Sequence, residues 1–402
     1  MINLTNSNKF FTLRFKLNSL VYIPAIIFII LVLLFGWKNV FSILTIDLKG
    51  DIIFADFQNI RTSVLSYLNG FDPQIQNPFD SNNSILIYPF AWVYIGLFFG
   101  LQNQINMIFF ILTFILLYIL IIGRLSQGIK NINRLLILLL IFYSNSSLIL
   151  IERGNIDLII FTITYISLII PNFFFLGTIL TIILKLYTIP LLILFLNSFK
   201  KISLFIPTFL LTIYLFKDSI FFSLINAPIS ATFSYGSKVL EEMVFQTTNI
   251  ELNYIIINFA LILVSISGFI IIKLRYQNFL IDFSNHIEKY NKLFIVGSIV
   301  YASTFIITGN FDYRLIFLTL LIPLLLDLKD RFFFFWSSLL VIAMNQRTLK
   351  FIFSPINDNL GTLINTTGKV ILFILLTVNL INYFDQNFFN NRLYRILRFQ
   401  IN

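Results

Sequence analysis

The sequence predicts an all-α polytopic membrane protein, and three observations predict it. Hydrophobic residues make up 58% of the 402-residue chain and charged residues 11%, with a mean hydropathy of +0.90, far outside the range of soluble domains. Apolar runs recur throughout, at 19–36, 85–100, 105–123, 135–151, 156–170, 172–197, 203–216, 254–272, 293–308, 315–327, 332–344 and 369–382. The basic residues, which outnumber the acidic ones 28 to 18, are scattered between those runs instead of forming a stripe or block, so they read as topology signals and not as a nucleic-acid surface.

A helix needs ~20 apolar residues to cross hydrocarbon, and several runs reach that length while others fall short, as tilted, broken or re-entrant pieces do. The expectation is one membrane domain, residues 1–402, with about 10 to 13 membrane segments. No internal repeat stands out. The chain has no cysteine, which excludes disulfides, thiol nucleophiles and thiolate metal sites, and its one histidine, His286, has no His or Cys neighbour in sequence with which to ligate a metal.

Taken in order, residues 1–18 are polar and basic and precede an apolar run that lacks a small-x-small cleavage site, which reads as an uncleaved anchor. Lys9, Arg14 and Lys16 assign this N-terminus to the cytoplasm. The 37–84 segment then lies outside, with Asp47, Asp51, Asp56, Asp72 and Asp80 against Lys38, Lys49 and Arg61. The connection carrying Arg124, Lys130 and Arg134 is basic and hence cytoplasmic, which requires an odd number of crossings between residues 85 and 123, so the run at 85–100 is expected not to span fully. Continued alternation places Lys200–Lys201, the 273–292 loop, Lys329/Arg331 and the basic tail 384–402 inside. It places residues 152–155, 217–253, 310–314 and 345–350 outside, so the polar motifs converge on one face.

Four motifs carry the candidate chemistry. In DIIFADFQNIRTSVLSYLNGFDP, residues 51–73, Phe57, Ile60, Val64, Tyr67 and Leu68 share one helical face. That pattern fits an amphipathic helix lying on the outer membrane surface, with Asp56 as its N-cap or as a functional carboxylate, Gly70 past its end and Pro73 as the stop. In ERGNID, residues 152–157, Arg153 and Asp157 are four apart and either pair on one helix face or, with Asn155, bind an anionic or hydroxyl-rich ligand. KLYTIP, residues 185–190, places Lys185 in an apolar run of 26 residues near Pro190. A lysine at the bilayer centre costs about 2.5–3.5 kcal/mol, so Lys185 either snorkels or faces a cavity, where it would hold a phosphate. In NFDYR, residues 310–314, Asp312 and Arg314 head an apolar run; Tyr313 and Arg314 are interfacial anchors or part of the same constellation.

Arg153, Lys185 and Arg314, set against Asp56 and Asp51 on one face, combine cations for a departing phosphate with a carboxylate for an attacking hydroxyl. A sugar on a lipid phosphate meets both needs.

Asp56–Phe57, Gly70 to Pro73, Tyr88–Pro89, Gly154–Asn155 and Lys185 to Pro190 occur in an order that resembles glycosyltransferase family 87, whose members include polyprenyl-phosphate-mannose-dependent mannosyltransferases with the GT-C membrane fold. The resemblance covers roughly residues 20–200 and departs where the family shows Tyr-Pro-Pro and Gly-Gln-x-Asn, here Tyr88-Pro89-Phe90 and Glu152-Arg153-Gly154-Asn155. It implies a GT-C-like helix bundle in the cell (inner) membrane, with a catalytic aspartate in the first outer loop, a role that falls on Asp56 with Asp51 beside it. In the constellation read from the residues, Lys185, Arg153 and Arg314 are expected to bind the donor phosphate, and Asn155, Asp157, Tyr187, Tyr88 and Asp312 to line the substrate.

The expected function is transfer of one sugar, mannose or another hexose, from a polyprenyl-phosphate donor to an outer-face glycan or lipid. The partners are that donor, the acceptor and the bilayer, with no nucleic acid. No cofactor is required; a divalent cation through Asp51 and Asp56 has no ligand cluster in the sequence to call for it. The alternatives are a lipid-linked-oligosaccharide flippase or transporter, which calls for an inverted repeat and mid-membrane charges in both halves, neither of which the sequence displays, and an envelope glycan polymerase, which calls for a large late polar loop.

Overall fold

The computed structural model describes residues 17–43, 53–195, part of 206–217, 234–248, 253–307, 310–357 and 359–386. Asp51, the cations Lys9, Arg14, Lys16, Lys200 and Lys201, and nearly all of the 384–402 tail lie outside the described residues. The described chain is all-α apart from one two-stranded ribbon, in which Ser234–Tyr235 pairs antiparallel with Asn310–Phe311.

Four helices are long and apolar enough to cross a membrane, Leu17–Phe35, Gln104–Leu125, Tyr254–Arg275 and Leu360–Phe384; a fifth span arises if Ile132–Phe142 and Asn145–Arg153, bent by 41°, are taken together. Asp157–Ile169, Phe174–Leu184 and Leu186–Phe195 are shorter apolar helices, so many of the expected 10 to 13 segments are short or broken pieces and not full-length spans. An apolar run reports only that a stretch avoids water, and several runs turn out to be breaks and short pieces packed inside the protein. The run 172–197 divides at Lys185, whose extended backbone (φ −164°, ψ 119°) ends the Phe174–Leu184 helix and starts the tight 3₁₀ turn Leu186–Phe195. Pro190, expected to be the breaker, sits within that 3₁₀ segment. The run 85–100 yields only the eight-residue helix Ala91–Phe98, and the run after Arg314 is the buried 3₁₀ segment Asp312–Leu321, continued by Ile322–Asp327.

Two side-chain locks hold the halves of the chain together around this interior. Arg134, at the head of Ile132–Phe142, reaches the carbonyls of Leu326 and Leu328 at 2.7 and 3.0 Å and the Asp330 carboxylate at 2.6 Å, with its guanidinium 4.4 Å over the Phe333 ring. At the joint of the same helix pair, the Asn145 side chain accepts from both the backbone and hydroxyl of Thr348, and the Asn145 backbone N–H donates to Asn345 Oδ1. Arg134 is thus a buried structural lock, where its sequence position had suggested a loop cation facing the cytoplasm.

The Ala55–Leu68 helix is also more deeply built in than an interfacial helix. Phe57, Ile60 and Val64 are fully buried. Its polar side is covered in turn by the 71–84 segment: Ser66 donates to Asn77 Oδ1 at 2.6 Å, Asn77 donates to Thr62, and Asn59 donates to the Ser84 carbonyl at 2.8 Å. Tyr67 and Leu68, assigned to the apolar face, are exposed. The helix ends as the sequence indicates. Gly70 takes φ +83°, with Phe71 N–H bonded to Ser66 O and Gly70 N–H to Tyr67 O, the two bonds of a Schellman stop.

A candidate ion-pair site at the helix joints

The site begins with two left-handed residues packed against each other. Phe54, at φ +58°, leads into the Ala55–Leu68 helix, and Gly154, at φ +56°, joins Asn145–Arg153 to Asp157–Ile169. A Cβ on Gly154 would stand 2.7 Å from the Phe54 Cβ, so the joint needs glycine for both its dihedral and its contact. This close approach sets Asp56, two residues past Phe54, beside Arg153 and Asn155.

Asp56 is not the N-cap: Phe54 holds that position without a side-chain bond. The Asp56 carboxylate instead turns across the joint, one oxygen accepting from the Arg153 guanidinium (Nε at 2.8 Å) and the other from the Asn155 amide. Asn155 also reaches the Tyr88 hydroxyl at 3.5 Å and, through its own oxygen, accepts from the Asp157 N–H at 2.9 Å. Arg153 and Asp157 do not pair, because Gly154 ends one helix between them and they project from different helices.

Asp157 opens the Asp157–Ile169 helix, where the helix dipole favours a negative charge. Its Oδ1 accepts from Lys185 Nζ and from the Tyr187 hydroxyl, both at 2.8 Å. Lys185 is buried and paired, so it does not snorkel. The break at Lys185 that allows this is itself supported, since Trp92 Nε1 donates at 3.1 Å to the Leu184 carbonyl that the helix end would leave open. Arg314 completes the group with its Nε 3.5 Å from Asp157 Oδ2 and its guanidinium 5.0 Å over the Tyr187 ring. Neither Arg314 Nε nor Asp157 Oδ2 has a hydrogen-bond partner, although both atoms are buried. With its side chain 18% exposed, Arg314 is no interfacial anchor, and neither is the buried Tyr313.

Tyr88, Tyr187 and Tyr313 surround the Lys185 ammonium at 5.3, 5.6 and 5.9 Å from their ring centres, a distance at which ring faces attract a cation. Burial pushes the Tyr88 phenol well above its ordinary value, and the Asp56 carboxylate pushes it further. The phenol stays neutral and keeps a proton to donate.

Asp56, Arg153, Asn155, Asp157, Lys185, Tyr187, Tyr88 and Arg314 therefore come together. Asp312 does not join them: buried, it is ion-paired at 2.6 Å with Lys369, a residue of the last long helix to which no role fell from the sequence. The signal was present in part, a lysine opening the apolar run 369–382 where Lys185 stands inside one. Glu152, also buried, lies within electrostatic reach of Arg153, Asp56 and Arg347. Three cations (Arg153, Lys185, Arg314) face two carboxylates (Asp56, Asp157) in the central group. That leaves one surplus positive charge, and the surplus coincides with the atoms that lack partners. Among the described residues no three His, Cys, Asp or Glu side chains are placed to hold a metal ion.

No family model matches the chain, and no curated protein and no solved structure matches it either.

Proposed function

We propose that the chain is a multi-pass glycosyltransferase of the GT-C kind, similar to glycosyltransferase family 87, set in the cell (inner) membrane with its N-terminus cytoplasmic. It moves a hexose such as mannose from a polyprenyl phosphate to a glycan or lipid on the outer face. The observation that carries this reading is the half-buried Arg314, whose buried Nε has no hydrogen-bond partner, in a cluster with one more cation than carboxylates and with Asp56 at its edge. A buried cation without a full set of acceptors is expensive to keep, and an anionic group that arrives with the substrate would supply them.

In the proposed reaction Asp56 takes the proton of the acceptor hydroxyl, the hydroxyl oxygen bonds to the anomeric carbon, and the bond from that carbon to the phosphate oxygen breaks. Polyprenyl phosphate leaves with the electron pair. Arg314 and Lys185 offset its growing charge, an interaction stronger in the transition state than before it. Arg153 has a double part. Paired with Asp56 it holds the carboxylate in place; a phosphate within reach would draw the guanidinium away and free that carboxylate oxygen for the acceptor hydroxyl. The Asn155 amide fixes the second Asp56 oxygen.

One observation favours a second reading. A flippase or transporter calls for buried charges in both halves of the chain, and Lys369–Asp312 in the second half is a counterpart to Lys185–Asp157 in the first. The two readings separate in isolated membranes given radiolabelled polyprenyl-phosphate sugars. Sugar transfer by wild type that is lost in Asp56→Asn at matched expression supports the transferase. No transfer from any donor in the panel, with labelled lipid crossing the bilayer, would move the assignment to transport.

A further inference from the structure

Lys369 is buried in the middle of the last long apolar helix, Leu360–Phe384, where an unpaired ammonium is costly. Its Nζ stands 2.6 Å from Asp312 Oδ1 and 3.4 Å from both the Ser234 carbonyl and Gln346 Oε1. These partners come from three separate parts of the fold: the ribbon strand Ser234–Tyr235, the start of Gln346–Phe353 and the head of the 3₁₀ segment Asp312–Leu321. The helix backbone at the same position is held too, since the Tyr301 hydroxyl donates to the Lys369 carbonyl at 2.7 Å.

Arg314 lies two residues after Asp312, on the same tight turn. Its Nε has no hydrogen-bond partner, and its distance to Asp157 is long for an ion pair. Arg314 is therefore aimed by its backbone more than by its own contacts, and the backbone is fastened at Asp312. We propose that Lys369 is a positioning residue for anion binding: by clamping Asp312 to the ribbon and to the last helix, it holds the Arg314 guanidinium pointed into the cluster. This rests on the donor-phosphate reading of the site and adds to it a residue 55 positions from Arg314 that touches none of the proposed substrate.

The test uses the full chain in nanodiscs and a short-chain polyprenyl phosphate as the probe, with affinity read by titration on monodisperse protein. Lys369→Met is expected to weaken probe binding about tenfold, the loss of one charge-assisted contact, and Lys369→Arg to restore most of it. Because Lys369→Met leaves Asp312 as a lone buried carboxylate, the paired variant Asp312→Leu with Lys369→Met removes both charges, a change that buried ion pairs often tolerate in stability. It is expected to bind the probe as weakly as Lys369→Met. Wild-type affinity in either folded Met variant overturns the positioning role and leaves the donor reading intact. A wild-type protein that does not bind the probe overturns the donor reading itself, and this inference with it.

Discussion

Arg134 and Arg314 are both arginines built into the same bundle, and they differ in burial, 1% against 18% exposed, and in their partners. Arg134 is 1% exposed and donates to the Leu326 and Leu328 carbonyls and, from two of its nitrogens, to Asp330, with Phe333 under the guanidinium plane. Arg314 has a carboxylate at 3.5 Å, a tyrosine ring and a buried Nε with no hydrogen-bond partner. A saturated buried cation is explained by the fold it fastens. An unsaturated one is left with a cost that folding does not recover, so its retention points to something outside the chain that completes it. The same contrast separates Lys369–Asp312, neither of which has a buried polar atom without a hydrogen-bond partner, from Asp157, whose second oxygen has none.

The largest effect should come from the carboxylate at the edge of the open cluster. Asp56→Asn still offers one acceptor oxygen to Arg153 at a joint open enough for water to take up the lost Asn155 contact (side chains 28% and 12% exposed), yet it cannot take a proton. Sugar transfer should fall by about 10²–10⁴-fold, the usual contribution of a general base, while thermal unfolding of the purified protein is little changed. A variant that unfolds early without a selective loss of transfer would return Asp56 to being a brace between helices.

The closed site should behave in the opposite way. Arg134→Met removes a saturated guanidinium and strands two carbonyls, so stability is expected to drop by about 2–3 kcal/mol, read as a shift in the thermal or denaturant midpoint. Asp330 is 67% exposed and remains hydrated, which keeps the loss below that of a fully buried pair. Probe binding per folded molecule should not move. Arg314→Lys, by contrast, keeps the charge and loses the planar fork; binding of polyprenyl phosphate should weaken about tenfold, or ~1.4 kcal/mol, with stability unaltered. If the two arginine variants gave the same profile, the distinction between closed and open cations would fail.

How much of this was readable in advance follows from what a linear sequence records. Charged residues are scarce among the apolar runs, so Asp56, Arg153, Lys185 and Arg314 stood out individually, and the structure brings them together. Their partners did not stand out. Arg153 meets Asp56 across 97 positions and Lys185 meets Asp157 across 28, whereas the pairing suggested by sequence, Arg153 with Asp157, is prevented by one left-handed glycine between them. Spacing predicts pairing only within an unbroken helix. Where a run breaks was not legible for the same reason, because hydropathy does not mark a break such as the extended backbone at Lys185. Lys369 was missed because it opens an apolar run and was counted with it, and Arg134 because a cation beside a loop looks alike whether it faces water or a carbonyl.

The smallest effect belongs to Tyr88, and it sharpens the comparison from the neutral side. The Tyr88 hydroxyl takes a long, 3.5 Å contact from the Asn155 amide, and the ring faces Lys185 at 5.3 Å. Tyr88→Phe removes the hydroxyl and keeps the ring, so it should cost less than about 1 kcal/mol in probe binding or transfer. Tyr88→Leu also removes the ring face and should cost more than the phenylalanine variant, by about 0.5–2 kcal/mol. Because burial and the Asp56 carboxylate both raise the Tyr88 phenol, it stays protonated through neutral pH. The transfer–pH profile of Tyr88→Phe should therefore overlay that of wild type between about pH 6 and 9. A basic limb that vanished in Tyr88→Phe would mean that the phenol ionises within reach of the reaction, and that the proton assigned to Asp56 passes through Tyr88 instead.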